Sequence, residues 1–99
     1  MWYAIVAEDV PNSLERRINA RADHLARLYE LQNQGRLLLA GPFPAIDNVD
    51  PGAAGFTGSL IVAEFVDLAT AKNWANGDPF VIAGVYASVS VKPFRKTLP

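Results

Sequence analysis

Three short segments of this chain are apolar at every position, and this two-sided pattern constrains the fold more than any other feature. The segments are Trp2–Ala7, Leu37–Ala40 and Leu60–Ala63. Successive side chains of a β-strand point to opposite faces of the sheet, so a strand that is apolar throughout needs cover on both faces. A membrane-spanning helix needs about 20 apolar residues, far more than these runs supply. The segments therefore predict strands that are buried on both sides in a soluble protein.

The remaining patterns predict the order strand, helix, strand, strand, helix, strand. The predicted strands are Trp2–Ala7, Arg36–Ala40, Ser59–Val66 and Val85–Val91. The first helix begins after an N-cap at Asn12 or Ser13 and ends at Gly35, because glycine favours the left-handed conformation that closes a helix. The second helix covers Leu68–Ala75, and Asp67 is its predicted N-cap.

The first helix carries an apolar stripe that contains two arginines. Its apolar members are Leu14, Ile18, Leu25, Leu28 and Leu31. A continuous helix would place Arg17 and Arg21 within the same face, where an unpaired charge is costly to bury. The pattern therefore predicts a break or kink around residues 19–22, with a short helix before it and a longer one after it.

The order of elements predicts one domain over residues 1–99 with a ferredoxin-like α+β fold. In this βαββαβ arrangement a four-stranded antiparallel sheet carries both helices on one face. The helices leave the other face of the sheet uncovered, although its strands are apolar on both sides. A second copy of the chain that packs sheet against sheet would cover this face, so we expect a homodimer.

Two features outside the core indicate a site. The stretch Phe43–Gly58 is rich in proline, glycine, aspartate and asparagine, and predicts a surface loop longer than most connections, which more often has a function. In the last strand Tyr86, Ser88 and Ser90 alternate with apolar residues. This polar side of the strand predicts the wall of a pocket near the dimer interface.

Charge and composition exclude several classes of function. Nine basic residues against ten acidic ones give a net charge of −1, so nothing in the charge favours binding to nucleic acid or to an anionic membrane. The first residues lack the positive segment of a signal peptide and soon reach Glu8 and Asp9. Because cysteine is absent as well, we expect a cytoplasmic protein without disulfides.

The single histidine, His24, is the only side chain that titrates near neutral pH without a perturbed pKa, so it is the candidate proton carrier. Asp23 directly precedes His24 and is a poor partner, since adjacent helical residues point about 100° apart. Asp78 is the alternative acid, and it also fits the N-cap of a last short helix that starts at Pro79. A plainer interpretation is open too, because His24 borders the apolar stripe and could be an ordinary histidine at the edge of the core.

Four segments, taken together, resemble the YciI-like family. They are His24–Leu28, Gly35–Pro42, Asp50–Ser59 and Asp78–Phe80. They follow one another in family order over nearly the whole chain. The resemblance implies a dimeric α+β barrel, related in fold to muconolactone isomerases, and a pocket with a histidine–aspartate pair that acts in acid–base chemistry without a cofactor. By this resemblance the catalytic pair is His24 and Asp78.

The same resemblance places the family's arginine at Arg21, where it is either a solvated charge or a clamp for an anion. Family members often have proline at the next position, which is Ala22 here. Ser59, Phe80 and Tyr86 are the further candidates for contact with a substrate. Ser59 could equally be an ordinary hydroxyl at the start of a strand.

Other chemistries fit the sequence less well. A nucleophilic serine triad through Ser59 lacks a motif for an oxyanion hole. One histidine without cysteine does not make a usual zinc site, whereas a haem held by His24 is left open by the spacing. Two functions therefore stand side by side. One is a cofactor-independent lyase or isomerase that acts on a small organic molecule, and the other is a non-catalytic protein that binds a small molecule in the same pocket.

Overall fold

A computed structural model describes all 99 residues and contains four strands and three helices. In chain order these elements are β1 (Trp2–Asp9), α1 (Leu14–Asn33), β2 (Leu37–Pro44), β3 (Phe56–Glu64), α2 (Leu68–Asn76), α3 (Pro79–Ile82) and β4 (Tyr86–Phe94). The strands form one antiparallel sheet in the order β2-β3-β1-β4. The predicted ferredoxin-like α+β class is therefore confirmed.

The core lies between the helices and one face of the sheet. Tyr3, Ile5 and Ala7 of β1 are buried, and they pair across the sheet with Ala63, Ile61 and Ser59 of β3. Directly paired residues share a face, so alternate residues of the two central strands build the floor of the core. The helices contribute the opposite side through Leu28, Leu31, Ala71 and Ala75.

The predicted break in the first helix is wrong, because α1 runs without interruption through residues 19–22. Arg17 lies on its buried face, but its guanidinium forms an ion pair with Asp9 of β1. A paired and hydrogen-bonded charge can be buried at far lower cost than a free one. Arg21 is exposed and needs no such partner, so neither arginine requires the helix to kink.

The second strand continues beyond its predicted end at Gly41-Pro42 and stops at Pro44. It is an edge strand, where a proline without an N–H removes no essential hydrogen bond from the sheet. The third strand likewise begins earlier than predicted, at Phe56. The connecting loop is therefore only residues 45–55, and it contains a short 3₁₀ turn over Gly52–Ala54.

The face of the sheet away from the helices carries apolar side chains with no cover. Ala4, Val6 and Leu39 pair with Val62 and Leu60 on this face. Val6 on the central strand β1 is 40% exposed, and Leu39 on the edge strand β2 is 47% exposed. A continuous patch of exposed apolar side chains is unusual for a monomer. The two-sided apolar pattern of the sequence is thus real, and one side of it is open in the single chain.

The prediction that Tyr86, Ser88 and Ser90 share one polar side of β4 is wrong for Tyr86. A bulge between Glu8 and Asp9 shifts the register, so that Glu8 pairs with Ser88 but Asp9 pairs with Tyr86. The extra residue reverses the side on which the strand presents its side chains. Tyr86 therefore points to the helices, where it meets Phe80, whereas Ser88 lies with Glu8 on the open face.

Candidate active site

A cavity of about 290 Å³ lies between α1 and the strands β2 and β3. Its lining residues are Leu14, Arg17, Ile18, Arg21, His24, Leu25, Leu28, Ala40, Gly41, Pro42, Phe56, Ser59, Ile61 and Phe80. The volume is at the lower end of the range for ligand sites, so it suits a molecule of about one ring. Four of the six residues predicted for the site, namely His24, Arg21, Ser59 and Phe80, line it.

His24 and Asp78 are in contact, as predicted, although 54 positions separate them in the sequence. The His24 Nδ1 lies 2.8 Å from Oδ1 and 3.0 Å from Oδ2 of Asp78. Both residues are buried, with 8% and 3% of their surface exposed. An ionised carboxylate only accepts hydrogen bonds, so in the neutral imidazole the proton is on Nδ1.

Asp78 is held in place by its local structure. It is the N-cap of α3, its extended backbone leads into Pro79 at the first helical position, and its Oδ1 accepts a hydrogen bond of 2.9 Å from the Phe80 backbone N–H. The predicted cap and the predicted partner of histidine are therefore the same side chain. It does not line the cavity, but lies behind His24 and orients the ring from there.

The other side of the imidazole is open. His24 Nε2 forms no hydrogen bond with the protein and is not fully buried. Because His24 lines the cavity, Nε2 is accessible from there. The Phe80 ring stacks on the imidazole at 3.9 Å with only 7° between the planes. The stacking contact on the face of the ring and the Asp78 contact at Nδ1 together fix the direction of the Nε2 lone pair.

Arg21 is a free cation at the edge of this cavity. It lies one turn before His24 on α1, is exposed, and forms no ion pair or hydrogen bond with the protein. No acidic residue stands three or four positions away on the helix, so no neighbour there offsets its charge. Its charge is therefore available to an anionic ligand.

Arg17 is the residue at this site that sequence reasoning missed. It is 6% exposed, and its Nε and Nη2 donate to the two oxygens of Asp9 at 2.5 and 2.8 Å. Nη2 also donates to the Gly58 carbonyl and to Ser59 Oγ, each at 2.9 Å. The sequence did contain a signal, because an arginine inside an apolar stripe indicates either a kink in the helix or a buried partner. The structure shows the buried partner, Asp9.

Tyr86 lies behind Phe80 rather than in the cavity wall. Its ring meets the Phe80 ring edge-on at 5.6 Å, and its hydroxyl is sealed without a hydrogen-bond partner. Burial raises the pKa of Tyr86 to about 12, against a smaller lowering by the Ser59 hydroxyl close by. The hydroxyl is therefore a protonated donor at neutral pH.

The contacts bear on two alternative chemistries. Ser59 Oγ bonds to Arg17 and not to His24, so the structure does not assemble a serine–histidine–aspartate triad. No three side chains of histidine, cysteine, aspartate or glutamate lie together as a set of metal ligands. No helix is long and apolar enough to cross a membrane.

Comparison with known proteins adds the family. The model of the YCII-related domain matches residues 1–95. Protein YciI of Escherichia coli O6:H1 is 59% identical over 96 residues, which cover 97% of this chain and 98% of that protein. An uncharacterized protein of Haemophilus influenzae is 58% identical over the same shares of both chains.

Among solved structures, the fold matches a 5-chloro-2-hydroxyhydroquinone dehydrochlorinase from Burkholderia phenoliruptrix, TftG, in complex with 2,5-dihydroxybenzoquinone. The TM-score is 0.83 at 28% identity, over 96% of this chain and 94% of that one. The family match covers nearly all of the sequence, and the match to a solved structure agrees with the fold. The chain therefore belongs to the YciI-like family.

Proposed function

We propose that the protein is a cofactor-independent acid–base enzyme of the lyase or isomerase type, acting on a small organic molecule. The observation that carries this proposal is the orientation of His24, whose Nδ1 is held by buried Asp78 while Nε2 is open to the cavity. A general base needs this arrangement, because an orienting acid fixes the tautomer and stabilises the imidazolium that forms. A protein that only binds its ligand needs the cavity alone.

In this proposal His24 Nε2 takes a proton from carbon or oxygen of the substrate and returns it at another atom or to water. Asp78 accepts the hydrogen bond from Nδ1 and so orients the ring. Arg21 attracts the anionic part of the substrate and offsets the charge that develops as the proton leaves. Phe80 supports the imidazole from one side through the stacking contact.

The size of the cavity and the structural neighbour support a proposal for the substrate class. TftG is a dehydrochlorinase of a hydroxylated ring, and loss of hydrogen chloride removes one proton and one chloride ion. Such an elimination requires a base that takes the proton and a group that stabilises the negative charge that develops on the substrate. We infer a small, anionic or ring-derived substrate for this chain as well.

A homodimer is part of the proposal. The open face of the sheet exposes Val6, Leu39, Phe43 and Phe94 by about two fifths each, at 40, 47, 38 and 40%. A second copy carries the same apolar face, and two sheets pack face to face at about 10 Å. This packing would close the barrel that the family resemblance implies.

The test is turnover of a panel of hydroxylated rings, with and without a chlorine substituent, followed by absorbance and by chloride release. The His24→Ala variant should lose activity by a factor of about 10² to 10⁴, the contribution that a positioned base makes. Asp78→Asn should lower the rate too, because an amide cannot stabilise the imidazolium. A His24→Ala variant that is folded and fully active would contradict the mechanism.

Asp67 provides a matched control for Asp78. It is the N-cap of α2, and its side chain accepts from the Thr70 backbone N–H at 2.8 Å, much as Asp78 accepts from Phe80. The Asp67→Asn variant should weaken a cap and leave turnover unchanged. Binding without turnover in the wild type would instead support the non-catalytic alternative.

A further inference from the structure

The end of the cavity near Arg17 has more hydrogen-bond donors than acceptors. Asp9 Oδ2 accepts from Arg17 Nε and from Ser13 Oγ, and Oδ1 accepts from Arg17 Nη2. The Gly58 carbonyl and Ser59 Oγ are the remaining acceptors of Arg17. All of these contacts involve only two of its three guanidinium nitrogens.

Two donor groups are left without a partner where they can reach the cavity. Arg17 Nη1 carries two N–H groups, makes no hydrogen bond with the protein and is not fully buried. Ser59 Oγ accepts from Arg17, and its own hydrogen makes no hydrogen bond with the protein, although the Tyr86 hydroxyl lies close by. Both residues line the cavity and are at least nine-tenths buried, at 6% and 4% exposure.

We propose that Arg17 and Ser59 form a buried subsite for an anionic oxygen of the ligand, and that Asp9 holds this subsite in position. Unpaired donors in a buried place are complementary to an acceptor, and a charged donor makes the stronger bond with an ionised oxygen. The hydrogen bond from Arg17 polarises the Ser59 hydroxyl and so strengthens it as a donor. The subsite extends the proposed acid–base function, on which it rests, by specifying how the substrate is held.

The geometry also indicates the class of ligand. Arg17 precedes His24 by seven residues, which is two turns of α1 or about 10 Å along its axis. The guanidinium of Arg17 lies 5.4 Å from the Phe56 ring centre and 5.1 Å from that of Phe80, and both rings line the cavity. A single flat ring with an ionised enol or phenol oxygen fits this setting, with the oxygen at Arg17 and the reacting proton towards His24.

The test measures equilibrium binding of two probes by calorimetry. One probe is 2,5-dihydroxybenzoquinone, whose acidic enols ionise readily, and the other is hydroquinone, a neutral ring of similar size. The Ser59→Ala variant should bind the anion about tenfold more weakly than the wild type, which is the effect of one hydrogen bond to a charged group. Its affinity for hydroquinone should change much less.

Ser13 supplies the matched control, because it is a second serine buried in the same network. It is 3% exposed and donates to Asp9 at 2.6 Å, but it does not line the cavity. The Ser13→Ala variant should therefore lose stability and keep its affinity for the anion within about twofold, since only a hydrogen bond outside the cavity is removed. Equal losses in the two variants, no loss in Ser59→Ala, or no binding of the anion by the wild type would each overturn the subsite.

The same measurement separates the subsite from the proposed function. Anion binding that depends on Ser59, in a protein without turnover that depends on His24, would retain the subsite and remove the acid–base mechanism. Turnover that depends on His24, with anion binding indifferent to Ser59, would retain the mechanism and remove the subsite.

Discussion

At the scale of single residues, two side chains that shape the site each have partners on more than one element. Asp78 accepts from His24 and from the backbone at the start of α3. Arg17 connects Asp9 with Ser59. Both side chains are thus fixed from two directions, which holds Arg17 itself and His24 at the cavity before a ligand arrives.

Tyr86 predicts a loss of stability in alkali. Its pKa is raised from 10.0 to about 12 by burial, so between those values the unfolded chain releases the proton and the folded chain keeps it. The contribution is present below pH 10 and is lost as the pH rises through 12, by about 3 kcal/mol at most. Urea titrations between pH 9 and 12 should show a flatter decline for Tyr86→Phe than for the wild type. Parallel curves would show that Tyr86 ionises as easily in the folded protein as in the unfolded one.

At the scale of elements, α1 is attached to β1 through one buried ion pair. Its Asp9 side chain is 1% exposed and its Arg17 side chain is 7% exposed. Because the pair also bonds to Gly58 and Ser59 of β3, it joins three elements at the end of the cavity. The ion pair therefore fixes the position of α1 in addition to contributing to the free energy of unfolding.

Arg17→Met should destabilise the fold by about 3–5 kcal/mol, because it leaves the Asp9 carboxylate buried without its counter-charge. Arg16→Met is the matched control on the same helix. Arg16 is exposed and donates only one hydrogen bond, to the Gly84 carbonyl, so its loss should cost about 1 kcal/mol or less. Chemical unfolding of the two variants measures the difference, and equal values would show that the ion pair does not anchor α1.

At the scale of the whole molecule, the uncovered apolar face is the main feature that a single chain does not account for. The helices cover one side of the sheet only, and Leu39 of the edge strand β2 lies on the other side, paired with Val62. Val62 is 5% exposed even in the single chain, so its neighbours already form a continuous apolar surface. Sheet-on-sheet packing in a homodimer would bury this surface.

Light scattering at micromolar concentration should therefore give about twice the chain mass of 10.7 kDa. The Leu39→Glu variant should shift the protein towards the monomer, because it places a charge within the proposed interface. Tyr29→Glu changes a comparably exposed residue, at 57%, on the helical side and should leave the mass unchanged. A stable wild-type monomer would remove the dimer from the proposal.

The sequence by itself determined the features that depend on neighbouring residues. Unbroken apolar runs indicated the first three strands and alternation indicated the fourth. The caps at Asp67 and Asp78 were predictable because a cap bonds to a backbone N–H two or three positions away. The contact of His24 with Asp78 is a long-range feature, and it was predicted from the family resemblance and the scarcity of candidate acids rather than from local pattern.

Only the tertiary structure decided how the polar residues of the core are satisfied. The cost of burying Arg17 depends on Asp9 in one strand and on Gly58 and Ser59 in another, and no local pattern shows that these groups meet. The bulge beside Asp9 likewise moves Tyr86 to the helical side, although the residues around it alternate as in a regular strand. Burial, ion pairing and strand register are properties of the folded chain, because each depends on residues that are distant in the sequence.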